Sequence, residues 1–286
     1  MGKWKKWLSA GLFTAMLGTA IIAGPTADVS ANAGNKPYNS ENVSPDAHLA
    51  PSVGDSSSKT SSKAWHKIDG VCYNGSGKKV EGAITRGMDV SEWQGKINWK
   101  EAKKDLDFAF VRISYGTRHL DDYYDYNMTE AEAADVPVGT YVYSLAKTNK
   151  EALAEAQLAI RQMQGHKVSY PVAFDLEDEA TLGTLTRKEI SQIALTFCDE
   201  IRKAGYTPIL YMNLNWYNNF VDWNVLEGSG LDVWIASYGD TILAPSASKY
   251  KYTIWQCTAG DEVPGMISTK KLISGVPKEN NVDLNF

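Results

Sequence analysis

From Gly87 to the last residue, short apolar β-rich runs alternate with helical segments, and this alternation most restricts the fold. The strand-like runs are 87–90, 108–114, 138–145, 171–177, 207–213, 231–238, 251–257 and 281–286. Helical segments fall at 98–105, 122–136, 149–165 and 186–205. In 149–165, Leu153, Ala156, Ile160 and Met163 make one apolar face, with Asn149 as cap and Gly165 as stop. Thr186 and Glu189 form a capping box for 186–205. Buried strands separated by helices predict a parallel sheet. Eight of them predict an α/β fold, an irregular TIM-like β/α barrel. No clear amphipathic helices separate the last three strands, so the barrel is expected to lack full helices on its C-terminal side.

Strand four, "YPVAFDLEDEATLG" (170–183), runs from apolar residues straight into acids. A buried, unpaired carboxylate is costly or shifts its pKa upward. The acids are explained if strand four ends at an active-site rim, because such barrels place chemistry at the C-terminal ends of strands. Asp175 and Glu177 are i and i+2, so they share a face, with Cα atoms roughly 6.5–7 Å apart. Val172, Phe174 and Leu176 then face outward. Asp89 ends strand one and Asp283 lies on strand eight. Four acids from three strands are expected on one rim. Polar and aromatic candidates at other strand ends are Tyr115, Tyr143, Tyr211, Asn213, Tyr238 and Trp255, with Trp216 nearby in sequence. The alternative fate of each aromatic is core packing. Arg112, mid-strand, needs an acid partner if buried, one of the four acids being a candidate.

The N-terminus has a targeting pattern. Lys3, Lys5 and Lys6 precede the apolar run 7–23, and small-residue cleavage options follow at 29–31 and 31–33. The apolar run is short for a membrane span of roughly 20 residues. The expectation is a secretory signal peptide over 1–33 and no stable membrane anchor after cleavage; a retained anchor is the alternative. Cleavage after Ala33 removes three lysines and Asp28, taking the net charge from −5 to −7. That acidity, without a basic block, argues against nucleic acid as a partner. Residues 34–64, rich in Ser, Asn and Lys, read as a flexible linker. Residues 65–85 carry the turn signal "NGSG" (74–77) between β-like runs and read as a β-hairpin. Trp65, Gly70, Tyr73, Gly77 and Gly82 also resemble one degenerate unit of bacterial cell-wall-binding repeats. One unit cannot stack on neighbours, and repeat solenoids need about three. It is therefore read as packing on the main domain, 86–286, with a binding role as the alternative. Cys72, Cys198 and Cys257 are too few for a disulfide framework. Cys198 reads as a small buried residue, and a Cys72–Cys257 bridge is possible.

"RGMDVSEWQGKINW" (86–99), "FAFVRISYG" (108–116), "GTYVYS" (139–144), "FDLED" (174–178), "ILYMN" (209–213), "DVWIASY" (232–238), "YTIWQC" (252–257) and "VDLNF" (282–286) resemble, in order and spacing, glycoside hydrolase family 25, the Chalaropsis-type lysozymes or N-acetylmuramidases. The resemblance implies an irregular β/α barrel that hydrolyses the β-1,4 bond between N-acetylmuramic acid and N-acetylglucosamine in peptidoglycan. It implies Asp89, Asp175, Glu177 and Asp283 as catalytic acids, none of them substituted. Asp178 and Glu179 fall outside the motif and are read as loop or surface charges. Glu177 is the candidate general acid. Asp175 either activates water, giving inversion, or orients the 2-acetamido group, giving retention by substrate assistance. No cofactor and no metal are expected. The partner is peptidoglycan glycan, and the protein is expected to be a bacterial, secreted or wall-associated monomer.

Three rival classes remain. One is a non-catalytic wall-glycan-binding protein on the same barrel. A metal-dependent wall amidase or deacetylase is disfavoured, because His48, His66, His119 and His166 lack ligand spacing. A cysteine peptidase is disfavoured because Cys257 ends a strand rather than opening a helix.

Overall fold

The computed structural model describes residues 61–286. The leader expected over 1–33, and all but the last four residues of the linker expected over 34–64, lie outside them. Among the described residues, no helix is long and apolar enough to cross a membrane.

A small antiparallel meander comes first. Strands β1 (Lys67–Ile68) and β2 (Val71–Cys72) pair around Asp69 and Gly70. Both turn residues have positive φ, 49° and 78°, as a two-residue hairpin loop of the I′ type requires. The "NGSG" turn follows and is closed by a Tyr73–Lys79 bridge.

The barrel strands are β3 (Gly87–Val90), β4 (Phe108–Tyr115), β6 (Val138–Tyr143), β7 (Val172–Asp175), β8 (Pro208–Asn213), β9 (Asp232–Ala236), β10 (Ile254–Thr258) and β11 (Asp283–Asn285). They neighbour one another in chain order, and β3 pairs with both β4 and β11, so the sheet is closed. The two-residue β5 (His119–Leu120) adds antiparallel to the end of β4. The expected all-parallel barrel is corrected at one strand: β11 is antiparallel to both neighbours. A parallel neighbour needs a crossover that carries the chain back to the starting end of the sheet. Between β10 and β11 the regular structure is a single 3₁₀ turn, Gly260–Glu262, and the chain re-enters the sheet running the opposite way, whereas β9 and β10, also joined without a helix, are parallel.

The helices are α1 (Trp99–Ala102), α2 (Tyr124–Ala133), α3 (Asn149–Met163), α4 (Glu179–Leu182), α5 (Arg187–Lys203), α6 (Leu214–Asn219) and α7 (Trp223–Leu226). No α-helix follows β9 or β10. The capping box of α5 forms as expected from Thr186 and Glu189. The cap of α3 is Thr148 rather than Asn149: its hydroxyl accepts from Glu151 N–H at 3.2 Å. The buried line of α3 is Ala152, Glu155, Ala156, Ala159 and Met163, with Leu153 and Ile160 half-buried on its flanks.

Two apolar layers result. Outside the barrel wall, Val172, Phe174 and Leu176 join the helices, with Phe174 stacked on Phe197 of α5 at 4.3 Å. Inside, Phe108, Phe110, Ile209 and Trp234 pack with Tyr141 and Tyr170. Phe108 stacks on Tyr170 at 4.8 Å and Phe110 on Trp234 at 4.4 Å. Two glycines make room for these rings. A Cβ at Gly87 would lie 2.4 Å from Phe108, and one at Gly139 would lie 2.5 Å from Phe110. Burying each such side chain contributes about 2–3 kcal/mol. The apolar plug stabilises the lower half of the barrel and leaves the upper rim free for polar residues.

All three cysteines are buried and free. Cys198 lies in the core face of α5 as expected. The Cys72–Cys257 bridge is not formed: Cys72 Sγ donates to the Thr85 carbonyl at 3.6 Å, and Cys257 Sγ to the Leu284 carbonyl at 3.2 Å.

Candidate active site

Strand alternation puts Ala173 and Asp175 on the inner side of β7. Pairing continues one step beyond the strand, because Leu176 N–H donates to the Tyr211 carbonyl at 3.0 Å. That keeps Glu177 on the same side as Asp175. Asp89 stands opposite Asp283 in the β3–β11 register. The reversed direction of β11 has a use here. Its first residue, not its last, lies where the parallel strands end, so Asp283 reaches the same rim.

A single amide links the acids to the phenols. Gln256 Nε2 donates to both oxygens of Asp89 at 3.0 Å and lies 3.5 Å from Asp283 Oδ2. Gln256 Oε1 accepts from the Tyr211 and Tyr238 hydroxyls, each at 2.6 Å. Two phenols on one side and a carboxylate on the other fix which way the amide lies. Asn285 Nδ2 donates to Asp89 at 2.7 Å and its Oδ1 accepts from Trp234 Nε1 at 2.7 Å.

Burial pushes Asp89 up to about 7, although the Asn285 and Gln256 donors pull the other way. Asp283, hydrogen-bonded to Asp89, is pushed well up by burial and by the Asp89 charge. Asp89 faces donors only, so it is the ionised member, and the shared proton rests on Asp283. Asp175 is 4% exposed, and its Oδ1 has no hydrogen-bond partner among the described residues. Burial, then Glu177 and Asp89, raise its pKa well above the carboxylate range. Half-buried Glu177 is raised to about 7, first by burial and then by Asp89 and Asp178; a Tyr211 hydrogen bond opposes the rise. Burial also keeps Tyr211 and Tyr238 protonated.

Tyr115 and Tyr143 form the second aromatic pair. An irregularity between Arg112 and Ser114 shifts the β4 alternation by one residue. Tyr115 then falls opposite Tyr143 and stacks on it at 4.8 Å. Their hydroxyls donate to Asp178 Oδ2 at 3.4 and 3.3 Å. Asp178 Oδ1 accepts from Thr181 N–H at 2.7 Å and caps α4. The reading of Asp178 as a loop charge is thereby corrected: it ties two rim tyrosines to a helix start. Glu179 is exposed.

Other expected residues lie elsewhere. Trp255 is 2% exposed, on the opposite side of β10 from Gln256, and donates through Nε1 to the Ser237 carbonyl at 2.8 Å. Alternation along Ile254–Trp255–Gln256–Cys257 selects Gln256, not Trp255, for the inner side. Trp216 is in the outer core, stacked on Phe220 at 4.2 Å. Asn213 is 1% exposed and caps α6, accepting from Trp216 N–H at 3.0 Å. Arg112 does not pair with any of the four acids. It donates to Asp121 at 2.9 Å and Glu92 at 3.1 Å, and Glu92 also meets His119 at 3.1 Å. Gln256 and Asn285 are the contributors that a search for acids and aromatics passes over. Among the described residues, no group of three or more His, Cys, Asp or Glu is disposed to hold a metal ion.

A rim with two acids, Asp89 and Glu177, raised to near neutrality, further buried carboxyls and four phenols suits proton transfer to and from a polyhydroxylated ligand. Known proteins share this framework. Residues 88–266 match the model of glycosyl hydrolases family 25. Lysozyme M1 of Streptomyces globisporus is 25% identical over 191 residues, 63% of this chain and 64% of that protein. The chain thus spans somewhat less than two thirds of the curated relatives it matches. The modular autolysin LytC of Streptococcus pneumoniae, solved with a synthetic peptidoglycan ligand, superposes with a TM-score of 0.62 at 21% identity, covering 77% of this chain and 51% of that one. A bacterial lysozyme from Streptomyces coelicolor gives 0.56 at 22% identity, over 72% and 93%. These structures share the barrel, and the family model covers most of its strands, including β3, β7 and β10 with Asp89, Asp175 and Gln256: the chain belongs to glycosyl hydrolases family 25.

Proposed function

We propose that this chain is a lysozyme that hydrolyses the β-1,4 bond between N-acetylmuramic acid and N-acetylglucosamine in peptidoglycan. In this reading it is exported by its leader, carries no stable membrane anchor after cleavage, and acts at the bacterial cell wall as a monomer. Support comes from family membership, from a lysozyme among its relatives and from a related autolysin solved with a peptidoglycan ligand.

Glu177 is the general acid. Its proton passes to the glycosidic oxygen as the bond from C1 to that oxygen breaks. The observation that carries the rest is the buried, unpartnered Oδ1 of Asp175. A buried acceptor calls for a donor, and the acetamido N–H of the sugar supplies one. Asp175 holds that group so that its carbonyl oxygen attacks C1, and accepts the N–H proton as the ring closes. Burial gives Asp175 a high proton affinity, which favours that uptake when the carboxyl is ionised. Water then adds at C1 as the bond from C1 to the acetamido oxygen breaks: one water proton passes to Glu177, the other stays in the new hydroxyl, and Asp175 returns its proton to the acetamido nitrogen. The anomeric configuration is retained. Asp89 and Asp283 set the charge beside the reacting carbon, and Tyr115, Tyr143, Tyr211 and Tyr238 bind sugar hydroxyls or faces.

Mass spectrometry of digested peptidoglycan tests the bond assignment. A muramic acid reducing end is expected, and a glucosamine end would overturn it. Glu177→Gln should abolish wall clearing in a folded protein; wild-type clearing removes Glu177 from its role. Early NMR of the reducing-end anomer should show β, and α would assign Asp175 to water activation instead. Pelleting with insoluble wall without release of reducing ends would make the protein a binder.

A further inference from the structure

The meander at 61–82 lies outside the family match, and the proposed chemistry does not use it. It is not a loose appendage. Trp65 is fully buried, its ring 6.3 Å from that of Phe286, which in turn lies 6.0 Å from Trp255. Trp65, Cys72 and Val80 share one apolar core with Trp255, Cys257 and Phe286. The meander therefore contributes to the apolar layer behind β10 and β11, the strands that have no α-helix following β9 or β10.

It also grips one loop. Trp65 Nε1 donates to Asp240 Oδ1 at 3.3 Å, Ser76 N–H to the Asp240 carbonyl at 2.7 Å, and Asn74 Nδ2 to the Ile242 carbonyl at 2.8 Å. Asn74 is fully buried, and Asp240 Oδ2 is held from the other side by Ile267 N–H at 2.8 Å. Backbones meet at Gly75, where a Cβ would lie 2.6 Å from Asp240 Oδ1 and 2.7 Å from its Cα. Asp240 is two residues beyond Tyr238, whose hydroxyl meets the same Gln256 oxygen as Tyr211. Gln256 in turn holds Asp89.

We infer that the 61–82 meander is a positioning element of the active site: by clamping Asp240 and Ile242 it sets Tyr238, and through Gln256 the placement of Asp89. Gly75, Trp65, Asn74 and Asp240 are the positioning residues, and the meander is not an independent glycan-binding repeat. The catalytic half of this inference rests on the proposed lysozyme activity; the structural half does not.

Gly75→Ala tests it directly. Gly75 does not need positive φ, so an added methyl is opposed only by the loop it would displace. Trp65→Phe keeps a ring and removes the N–H, and decides the matter if Gly75→Ala fails to fold. Exposed Lys79→Ala on the same meander is the control. The Trp255 indole N–H donates to the Ser237 carbonyl, next to Tyr238, so its ¹⁵N NMR signal reports the loop without any turnover. In both test variants that signal should move, while those of Trp99 and Trp223 stay. On soluble glycan fragments kcat should fall about tenfold or more, through Gln256 and Asp89, and any rise in KM, through Tyr238, should be smaller than that fall. Unchanged Trp255 signal or unchanged kcat in both variants overturns the inference. So does a rise in KM or a loss of wall pelleting with kcat intact, which would assign the meander to binding. If the wild type cuts no glycan but the Trp255 signal still moves, the enzyme reading fails and the structural link stands.

Discussion

Gln256 is the residue on which the candidate site turns. Its side chain satisfies two phenols and one carboxylate at once. Gln256→Leu would leave Asp89 with Asn285 as its remaining side-chain amide donor, and the two tyrosines without their acceptor. Hydrogen bonds to charged groups are worth about 1.5–3 kcal/mol, and each 1.36 kcal/mol is tenfold in rate. The expected result is a kcat lower by about 10- to 100-fold with a folded protein, read from steady-state kinetics on glycan fragments. Glu177 makes a separate prediction. A general acid must be protonated, and its pKa is raised to about 7, so kcat should fall as pH rises through about 7. A profile with no alkaline limb in that range would show that another group donates the proton. Both residues were accessible to sequence reasoning in different degrees. Glu177 shares the parity of Asp175 in a strand whose other residues are apolar. Gln256 obeys the same parity, but a neutral amide beside a tryptophan carries no chemical signal of its own.

At the scale of elements, Asp178 joins a helix start to the rim. Asp178→Ala removes the α4 cap and the shared acceptor of Tyr115 and Tyr143. Cap loss costs about 0.5–2 kcal/mol, which for a chain of this size lowers Tm by roughly 1–8 °C. The freed tyrosines should raise KM more than they lower kcat. Asp178→Asn keeps an oxygen for Thr181 and should restore most of the Tm; calorimetry and kinetics on the pair separate the two roles. The elements themselves were legible where their period was long. Eight strands, the α5 capping box and the outward facing of Val172, Phe174 and Leu176 follow from alternation and cap chemistry that act locally. What was not legible depends on partners distant in sequence. The shift between Arg112 and Ser114 that turns Tyr115 inward has no turn residue to mark it. The reversal of β11 has no local mark, because the stretch before it lacks a helix just as the one between the parallel β9 and β10 does. Arg112 needs an acid partner, but Asp121 and Glu92 lie just after the two-residue β5 and in a 3₁₀ turn, neither of which shows a periodicity.

The whole molecule buries carboxyls beyond what its site requires. Asp89, Asp175, Glu177 and Asp283 are raised at the rim, and Glu155 on α3 is raised to about 7 by burial, holding Ser144 Oγ and Leu145 N–H at 2.8 and 2.9 Å. Each raised carboxyl binds its proton more tightly in the folded chain than in the unfolded one. Between the ordinary carboxylate range and about 7, the native state therefore holds more protons, and the unfolding free energy must fall as pH rises. Their contribution is fully present below the unfolded pKa and is lost as pH passes the folded value. For Glu155, the rise from 4.5 to about 7 corresponds to about 3 kcal/mol. Urea titrations at a series of pH values should show stability declining from about pH 4.5 to 7. Glu155→Gln, on α3 and not among the rim acids, should flatten that decline by about 3 kcal/mol while leaving the alkaline limb of kcat in place, since that limb belongs to Glu177. A stability that climbs over this interval would mean the buried carboxyls are ionised and paired, and would remove the proton reservoir on which the proposed acid step depends.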